Sequence, residues 1–262
     1  MALTNSSPEN TKSHPILILH GWGSSSKSWE KTRQILESRG YAVHTPDMPG
    51  FGTNYPPQTA WAVDDYLNWV LDYIDTNMLG KVYLLGHSFG GRIAIKLAAR
   101  HPEKLAGLML VAAAGIKHQK TFWQKIVYYL SKLANALYIF SFIPAIRRFW
   151  RKAFYRFVVR RRDYYEADGV MRETFKKVIS EDLSPYLKEI NVPTIIIWGE
   201  KDKLTPIEDA YLINDDIKLS LLKILKNHGH AINLDAPEKL TETIFQFLRL
   251  QETANAQWLE NS

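Results

Sequence analysis

Lys81-Val82-Tyr83-Leu84-Leu85-Gly86-His87-Ser88-Phe89-Gly90-Gly91 is the stretch on which the reading of this chain turns. An apolar run reaches a glycine, a serine follows two residues later, and a second glycine comes two residues after that. Arg92–Arg100 then continues with helical composition. A G-x-S-x-G pentapeptide between a strand and a helix is a nucleophile elbow. Its turn is so sharp that side chains two residues before and after the serine would collide with it, which accounts for Gly86 and Gly90. The strained serine is lifted above the sheet at a helix N-terminus, where the dipole favours developing negative charge. Ser88 is the candidate nucleophile. A Gly/Ser turn without chemistry is the bland alternative, and the strand-turn-helix context weighs against it.

Outward from the elbow, short apolar or β-branched runs alternate with longer segments of helical period, the signature of a parallel sheet with crossover helices. The candidate strands are Ile16–Leu19, Tyr41–Thr45, Lys81–Leu85, Gly107–Ala112, Thr194–Trp198 and Leu219–Leu225. Several are apolar throughout, as strands covered on both faces should be. The candidate helices are Ser28–Ser38, Ala60–Asn77, Phe89–Arg100, Ile207–Asn214 and Pro237–Gln251. In the second of these, Trp61, Tyr66, Trp69, Val70, Tyr73 and Ile74 keep the spacing of one buried face. His101-Pro102 stops the third, since proline removes a donor and restricts the residue before it. The last twelve residues are expected to fray.

One interval breaks the alternation. After the strand ending near Ala112, a neighbouring strand should return within about 30 residues. The next such run is Thr194–Trp198, and the intervening chain has helical spacing: Trp123, Ile126, Val127, Leu130, Leu133, Leu137, then Phe149, Phe154, Phe157 and Val158. Residues 116–186 are read as a helical cap inserted into a core made of residues 1–115 and 187–262.

Charge follows the same division. Across the whole chain 33 Lys and Arg face 27 Asp and Glu, for a net charge of +6. Residues 116–162 carry twelve of the bases and no acid, so the remainder holds 21 bases against 27 acids. The protein reads as a mildly acidic body with a strongly basic insert.

Composition excludes several classes. Hydrophobic residues at 46% and charged residues at 23% are those of a folded globular chain. With no cysteine there is no disulfide framework, thiolate nucleophile or cysteine-bound metal. The polar N-terminal stretch MALTNSSPENTKSH lacks the apolar core of a signal peptide. Leu133–Ile146, the longest apolar stretch, is short for a bilayer and is interrupted by Asn135, Ser141 and Pro144. A cytoplasmic location is expected.

Serine needs a base, and the base needs an orienting acid. On a strand-elbow-helix scaffold they follow the serine in the order acid, then histidine. Asp202 lies in Gly199-Glu200-Lys201-Asp202-Lys203-Leu204-Thr205-Pro206, just past a strand, with Glu200 as its rival. The loop Ala113-Ala114-Gly115, the other place for an acid, offers no carboxylate. Lys226-Asn227-His228-Gly229-His230 presents two histidines, and His230 is preferred because Gly229 lets the backbone turn just before it. Two backbone N–H donors should converge on the oxyanion. Phe89 follows the nucleophile directly, and Trp22 sits in His20-Gly21-Trp22-Gly23-Ser24-Ser25 after the first strand. Such a donor is worth about 3–4 kcal/mol. His20 is given a structural role, tying that loop down, and Asp47-Met48-Pro49-Gly50-Phe51-Gly52 is expected to shape the rim.

Taken together, His20-Gly21-Trp22-Gly23, Asp47-x-Pro49-Gly50-Phe51-Gly52, Gly86-His87-Ser88-Phe89-Gly90-Gly91, Gly199-x-x-Asp202 and Gly229-His230 with Pro237 resemble the α/β-hydrolase superfamily along nearly the whole chain. The resemblance implies a Ser88–Asp202–His230 triad at the C-terminal edge of the sheet. The His-Gly-Trp-Gly loop is also similar to that of carboxylesterases acting on pimeloyl-carrier methyl esters. Only a short stretch precedes the first strand, where the family usually has an antiparallel hairpin. The expected fold is therefore α/β, a mostly parallel sheet of about six strands flanked by helices, with the N-terminal edge hairpin missing or reduced. Haloalkane dehalogenases and epoxide hydrolases of this fold carry aspartate where Ser88 stands, which disfavours both.

The triad implies hydrolysis of small to medium carboxylic esters or lactones, with no metal or organic cofactor. C–C bond hydrolysis, perhydrolysis and acyl transfer use the same triad and stay open, as does a non-hydrolytic receptor on a hydrolase scaffold. Specificity lives in the cap. Its aromatics, Phe122 and Trp123 among them, are expected to line the substrate pocket with Trp22 and Phe89. The favoured reading is a lid whose bases face water. Peripheral contact with an anionic membrane, or docking of an acidic carrier protein, are the other two. No nucleic-acid recognition motif accompanies the basic run.

Overall fold

The computed structural model of the chain describes residues 14–117 and 169–260. Six parallel strands form one sheet among the described residues, β1 (Ile16–Leu19), β2 (Val43–His44), β3 (Val82–His87), β4 (Leu105–Val111), β5 (Thr194–Gly199) and β6 (Ser220–Leu225), in the order β2-β1-β3-β4-β5-β6. The helices are α1 (Glu30–Glu37), α2 (Val63–Thr76), α3 (Phe89–Arg100), α4 (Val170–Ser180), α5 (Ser184–Leu187), α6 (Ile207–Asp216), α7 (Ile232–Asp235) and α8 (Pro237–Glu260).

Strand alternation sorts the core into two layers. Leu17, Leu19, Val82, Leu84, Leu108, Leu110, Ile196 and Trp198 pack against α2, α3, α5 and α6. Ile16, Ile18, Tyr83, Leu85, Met109, Val111, Ile195 and Ile197 pack on the opposite face against Trp29, Leu36 and α8. Both parities are apolar because both faces are covered, which is why these runs lack a polar-apolar alternation. The edge strand β6 shows the contrast, with Leu221 and Lys223 exposed.

Some boundaries differ from those read in the sequence. The edge ladder of β2 pairs only Val43 and His44 with Ile16 and Leu17, where Tyr41–Thr45 was expected. A 3-10 turn, Ser26–Trp29, precedes α1 and takes up the first residues of the expected helix. α8 continues to Glu260 in place of the expected frayed end. α3 ends at Arg100 as read, and His101 leaves the helical region ahead of Pro102.

The strand order reverses between β1 and β3: β2 lies on one side of β1, and β3 to β6 extend from the other. In such sheets ligands bind in the crevice beyond the strand C-termini at the switch point. The loop after β1 carries Trp22 and the turn after β3 carries Ser88, so both border that crevice. Of the cap expected over 116–186, residues 118–168 lie outside the described residues, and Phe122 and Trp123 with them. α4 is the stretch that returns to the core. Phe175, Val178 and Thr174 face inward, and the Thr174 hydroxyl accepts the Trp61 N–H at 3.0 Å.

Candidate active site

Ser88 caps α3 with φ 52° and ψ −110°, a positive φ that a non-glycine residue adopts only under constraint. The constraint is visible on both sides. The Ser88 N–H donates to Val111 O at 3.2 Å, and its carbonyl accepts from Gly91 N at 3.0 Å and Ala114 N at 2.9 Å. A Cβ on Gly86 would stand 2.6 Å from Gly90 O and 2.7 Å from the Ala94 Cβ, and one on Gly90 would overlap the backbone of Leu19. The turn therefore closes only with glycine at both positions.

His230 and Asp202 meet across the ends of β5 and β6. Nδ1 of His230 donates to Asp202 Oδ2 at 2.7 Å, with the carboxylate fully enclosed and the imidazole 16% exposed. The other Asp202 oxygen accepts from Leu204 N at 2.8 Å and Thr205 N at 3.1 Å, and the Thr205 hydroxyl donates to Oδ2 at 2.8 Å. Burial by itself would raise the Asp202 pKa. The bond from His230, its charge and the Leu204 and Thr205 donors outweigh burial, and the net shift is downward. Thr205 was not singled out in the sequence, though a hydroxyl residue three positions after an aspartate in a turn is the signal that would have found it.

The loop bearing His230 comes close to β5 because Gly199 has no side chain; a Cβ there would run into the backbone of His228 and Gly229. The turn that the sequence reading assigned to Gly229 is made instead by Asn227, with φ 66°. His228 points elsewhere and accepts from Lys239 Nζ at 3.2 Å. Glu200 accepts the Asn227 N–H at 2.9 Å and so braces the same loop. Neither rival stands in the Asp202–His230 pair. Ser88 Oγ has no hydrogen-bond partner among the described residues, and the link from its turn to His230 runs through the preceding residue, whose Nε2 donates to His230 O at 3.1 Å.

The loop that carries Trp22 and the start of α3, which carries Phe89, are brought together. Gly90 N–H donates to His20 O at 3.2 Å, which pins the loop after β1 onto the start of α3. Among the described residues neither the Trp22 nor the Phe89 N–H has an acceptor. His20 donates from Nδ1 to Gly21 O at 2.9 Å and accepts the Met48 N–H at 3.0 Å, so its ring ties two loops together. Burial holds its pKa down. Asp47 accepts from Ser26 N at 2.6 Å and Thr53 N at 2.8 Å, joining the rim loop to the loop of Trp22.

Over these loops sits an aromatic cluster. The Trp22 ring lies 4.9 Å from Phe51, 5.2 Å from Phe89 and 4.9 Å from Phe175 of α4. The Phe89 ring is 3% exposed and also packs on Tyr66 at 4.9 Å. It supports Trp22 from below, while the Trp22 ring remains half-buried at the surface of the crevice. Among the described residues no group of three or more His, Asp or Glu is arranged to hold a metal ion.

A family model described as the alpha/beta hydrolase fold matches residues 14–237. Among curated proteins, the pimeloyl-[acyl-carrier protein] methyl ester esterase of Aeromonas hydrophila is 27% identical over 244 residues, covering 89% of this chain and 94% of the relative. The monoacylglycerol lipase ABHD6 of Bos taurus is 26% identical over 267 residues, covering 94% of this chain and 78% of the relative. Among solved structures, the esterase EaEST from Exiguobacterium antarcticum superposes with a TM-score of 0.68 at 26% identity, covering 90% of this chain and 92% of that one.

Proposed function

The chain belongs to the α/β-hydrolase family, and from that premise we propose that it is a serine hydrolase of small to medium carboxylic esters or lactones, acting through Ser88, His230 and Asp202. The observation that carries this reading is the 2.7 Å bond from His230 Nδ1 to the enclosed Asp202 carboxylate, on the same sheet edge as a strained serine. That bond fixes the imidazole as the Nδ1–H tautomer and leaves the Nε2 lone pair to act as base.

In this mechanism Nε2 takes the Ser88 proton as Oγ attacks the ester carbonyl carbon. The tetrahedral oxyanion is held by the Trp22 and Phe89 N–H groups. Its collapse breaks the bond to the alcohol oxygen, which leaves with the proton from Nε2. A water then attacks the acyl-enzyme, giving its proton to the same nitrogen, and the acid departs as Ser88 regains its hydrogen. Asp202 stays ionised throughout and stabilises the imidazolium. Every step uses side chains and amides of the chain itself.

Residues 116–186 are proposed as the cap that sets specificity. The twelve bases between 116 and 162, with no acid, give that stretch the charge to attract an acidic carrier protein. A carrier-borne ester is the substrate named for the Aeromonas hydrophila relative. Anionic membrane is the competing partner, and flotation with anionic liposomes at low salt separates the two. No helix among the described residues is long and apolar enough to cross a membrane.

A fluorophosphonate probe together with a p-nitrophenyl ester panel graded by acyl length tests the activity. The wild-type protein should be labelled and should turn over the panel, while Ser88→Ala should do neither and keep its melting temperature. Turnover retained by Ser88→Ala would overturn the assignment.

A further inference from the structure

His87, the residue between Gly86 and the serine, takes no part in the reaction proposed above, yet it is built into the site. Its side chain closes β3, 7% exposed, with its ring 5.0 Å from the His230 ring and 5.7 Å from Trp29 between centroids. Nε2–H donates to the main-chain carbonyl of His230 at 3.1 Å. A carbonyl only accepts, so this bond selects the Nε2–H tautomer of His87. Burial first, then the nearby His230 and, least, His20, hold the His87 pKa down to about 3, against weaker upward pulls from the carbonyl bond and Asp202. The ring stays neutral and adds no second positive charge beside His230 when that residue is protonated.

Apart from the turn bond between His228 N–H and Leu225 O, the main chain of residues 226–230 has two other ties among the described hydrogen bonds, and both lead to the acid side. Lys201 N–H donates to His228 O at 2.8 Å, and Asn227 N–H donates to Glu200 at 2.9 Å. These hold the loop against the strand that carries Asp202. Among the described hydrogen bonds, the one from His87 is what holds the main chain of residue 230 to the strand that leads into Ser88. We propose that His87 is a positioning residue: by clamping the His230 carbonyl it sets the reach from the His230 imidazole to the Ser88 hydroxyl. The proposal rests on the reading of Ser88 and His230 as nucleophile and base.

Two substitutions separate positioning from mere packing. His87→Gln keeps an N–H donor at about the reach of Nε2, and His87→Met fills similar space with no donor. Met at 87 should lower kcat about ten- to a hundredfold, the range expected for a small misplacement of reacting groups, with KM unchanged. Gln should recover most of that kcat even if both variants lose the same few degrees of melting temperature. If the Met variant does not fold, His87→Asn, whose amide is too short to reach the carbonyl, takes its place. The proposal is overturned if the donor-less variant keeps wild-type kcat, or if Gln loses as much kcat as Met. Fluorophosphonate labelling runs on the same samples. An unlabelled wild-type protein refutes the catalytic reading itself, whereas a labelled one with His87-independent kcat refutes only the clamp.

Discussion

Lys96 Nζ lies 2.7 Å from Asp64 Oδ1 and 2.5 Å from Glu181 Oε1, and its side chain is 2% exposed. It thereby joins three parts of the chain: α3 directly behind the elbow, the start of α2, and the residue that ends α4. Arg92, one turn nearer the serine, donates to the carbonyls of Val178 and Glu181, both at 3.0 Å. Arg100, one turn further on, reaches Asp64 at 2.8 Å and the Tyr186 hydroxyl at 3.1 Å. Arg92 and Lys96 thus anchor the end of α4 to the elbow helix, and Arg100 ties that helix to α2 and α5.

Lys96→Met tests that anchor. Removing one partner of a fully buried ion pair costs about 3–5 kcal/mol. Here Asp64 is 50% and Glu181 26% exposed, so both can rehydrate and Asp64 keeps Arg100. We expect a loss of about 1–3 kcal/mol on thermal or urea unfolding. Part of it should return in Lys96→Met/Glu181→Gln, because the second change removes the stranded carboxylate. Single and double variants of equal stability would refute the coupling.

Asp202→Asn should keep the fold, since an amide oxygen can still accept the Leu204 and Thr205 N–H groups. It should lower kcat about 10³–10⁴-fold by losing control of the His230 tautomer. Its effect on acid stability has a definite sign. The folded-state pKa of Asp202 lies below the ordinary value of 3.8. Its contribution is therefore fully present above that value and is lost as pH falls through the folded one. The melting temperature of Asp202→Asn should fall less steeply than wild type on acidification below about pH 4. Parallel acid limbs would show that this carboxylate contributes nothing to the titration.

Gly86→Ala adds a methyl where the nearest atoms are the Gly90 carbonyl and the Ala94 Cβ, neither of which can move without opening the turn. Overpacking of this kind costs about 1–3 kcal/mol. For a chain of this size that is about 2–4 °C of melting temperature per kcal/mol. Fluorophosphonate labelling should slow as well, because the methyl displaces the backbone that holds Ser88. Wild-type melting and labelling together would contradict the packing argument.

Much of this architecture was legible in the residues. β3 and α3 fall within two residues of their expected limits, because an apolar run, a paired-glycine turn and a proline stop each leave a strong local mark. Asp202 and His230, singled out for their places just beyond strand ends, bond to each other. What escaped depends on contacts between distant segments. Arg92, Lys96 and Arg100 recur every four residues, which on an amphipathic helix normally marks a solvated face. They are buried or paired because residues 178–186 cover them, and nothing local announces that. The shortening of β2 likewise has no local mark: its ladder stops at Leu17 although β1 runs on to Leu19. The clamp by His87 needed the loop of His230, 143 residues away in the chain, to be folded beside it.

Residues 115–117 and 180–183 are stitched to each other. Leu183 N–H donates to Gly115 O at 3.0 Å, Lys117 N–H to Asp182 at 3.3 Å, and Lys117 Nζ to Ser180 O at 3.3 Å. A chain segment whose ends are already joined can change length cheaply, since doubling it adds only about 0.6 kcal/mol of closure entropy. The scaffold is thus a socket with a fixed mouth. Evolution, or a protein engineer, can exchange the proposed cap to retune what enters, without renegotiating the sheet beneath it.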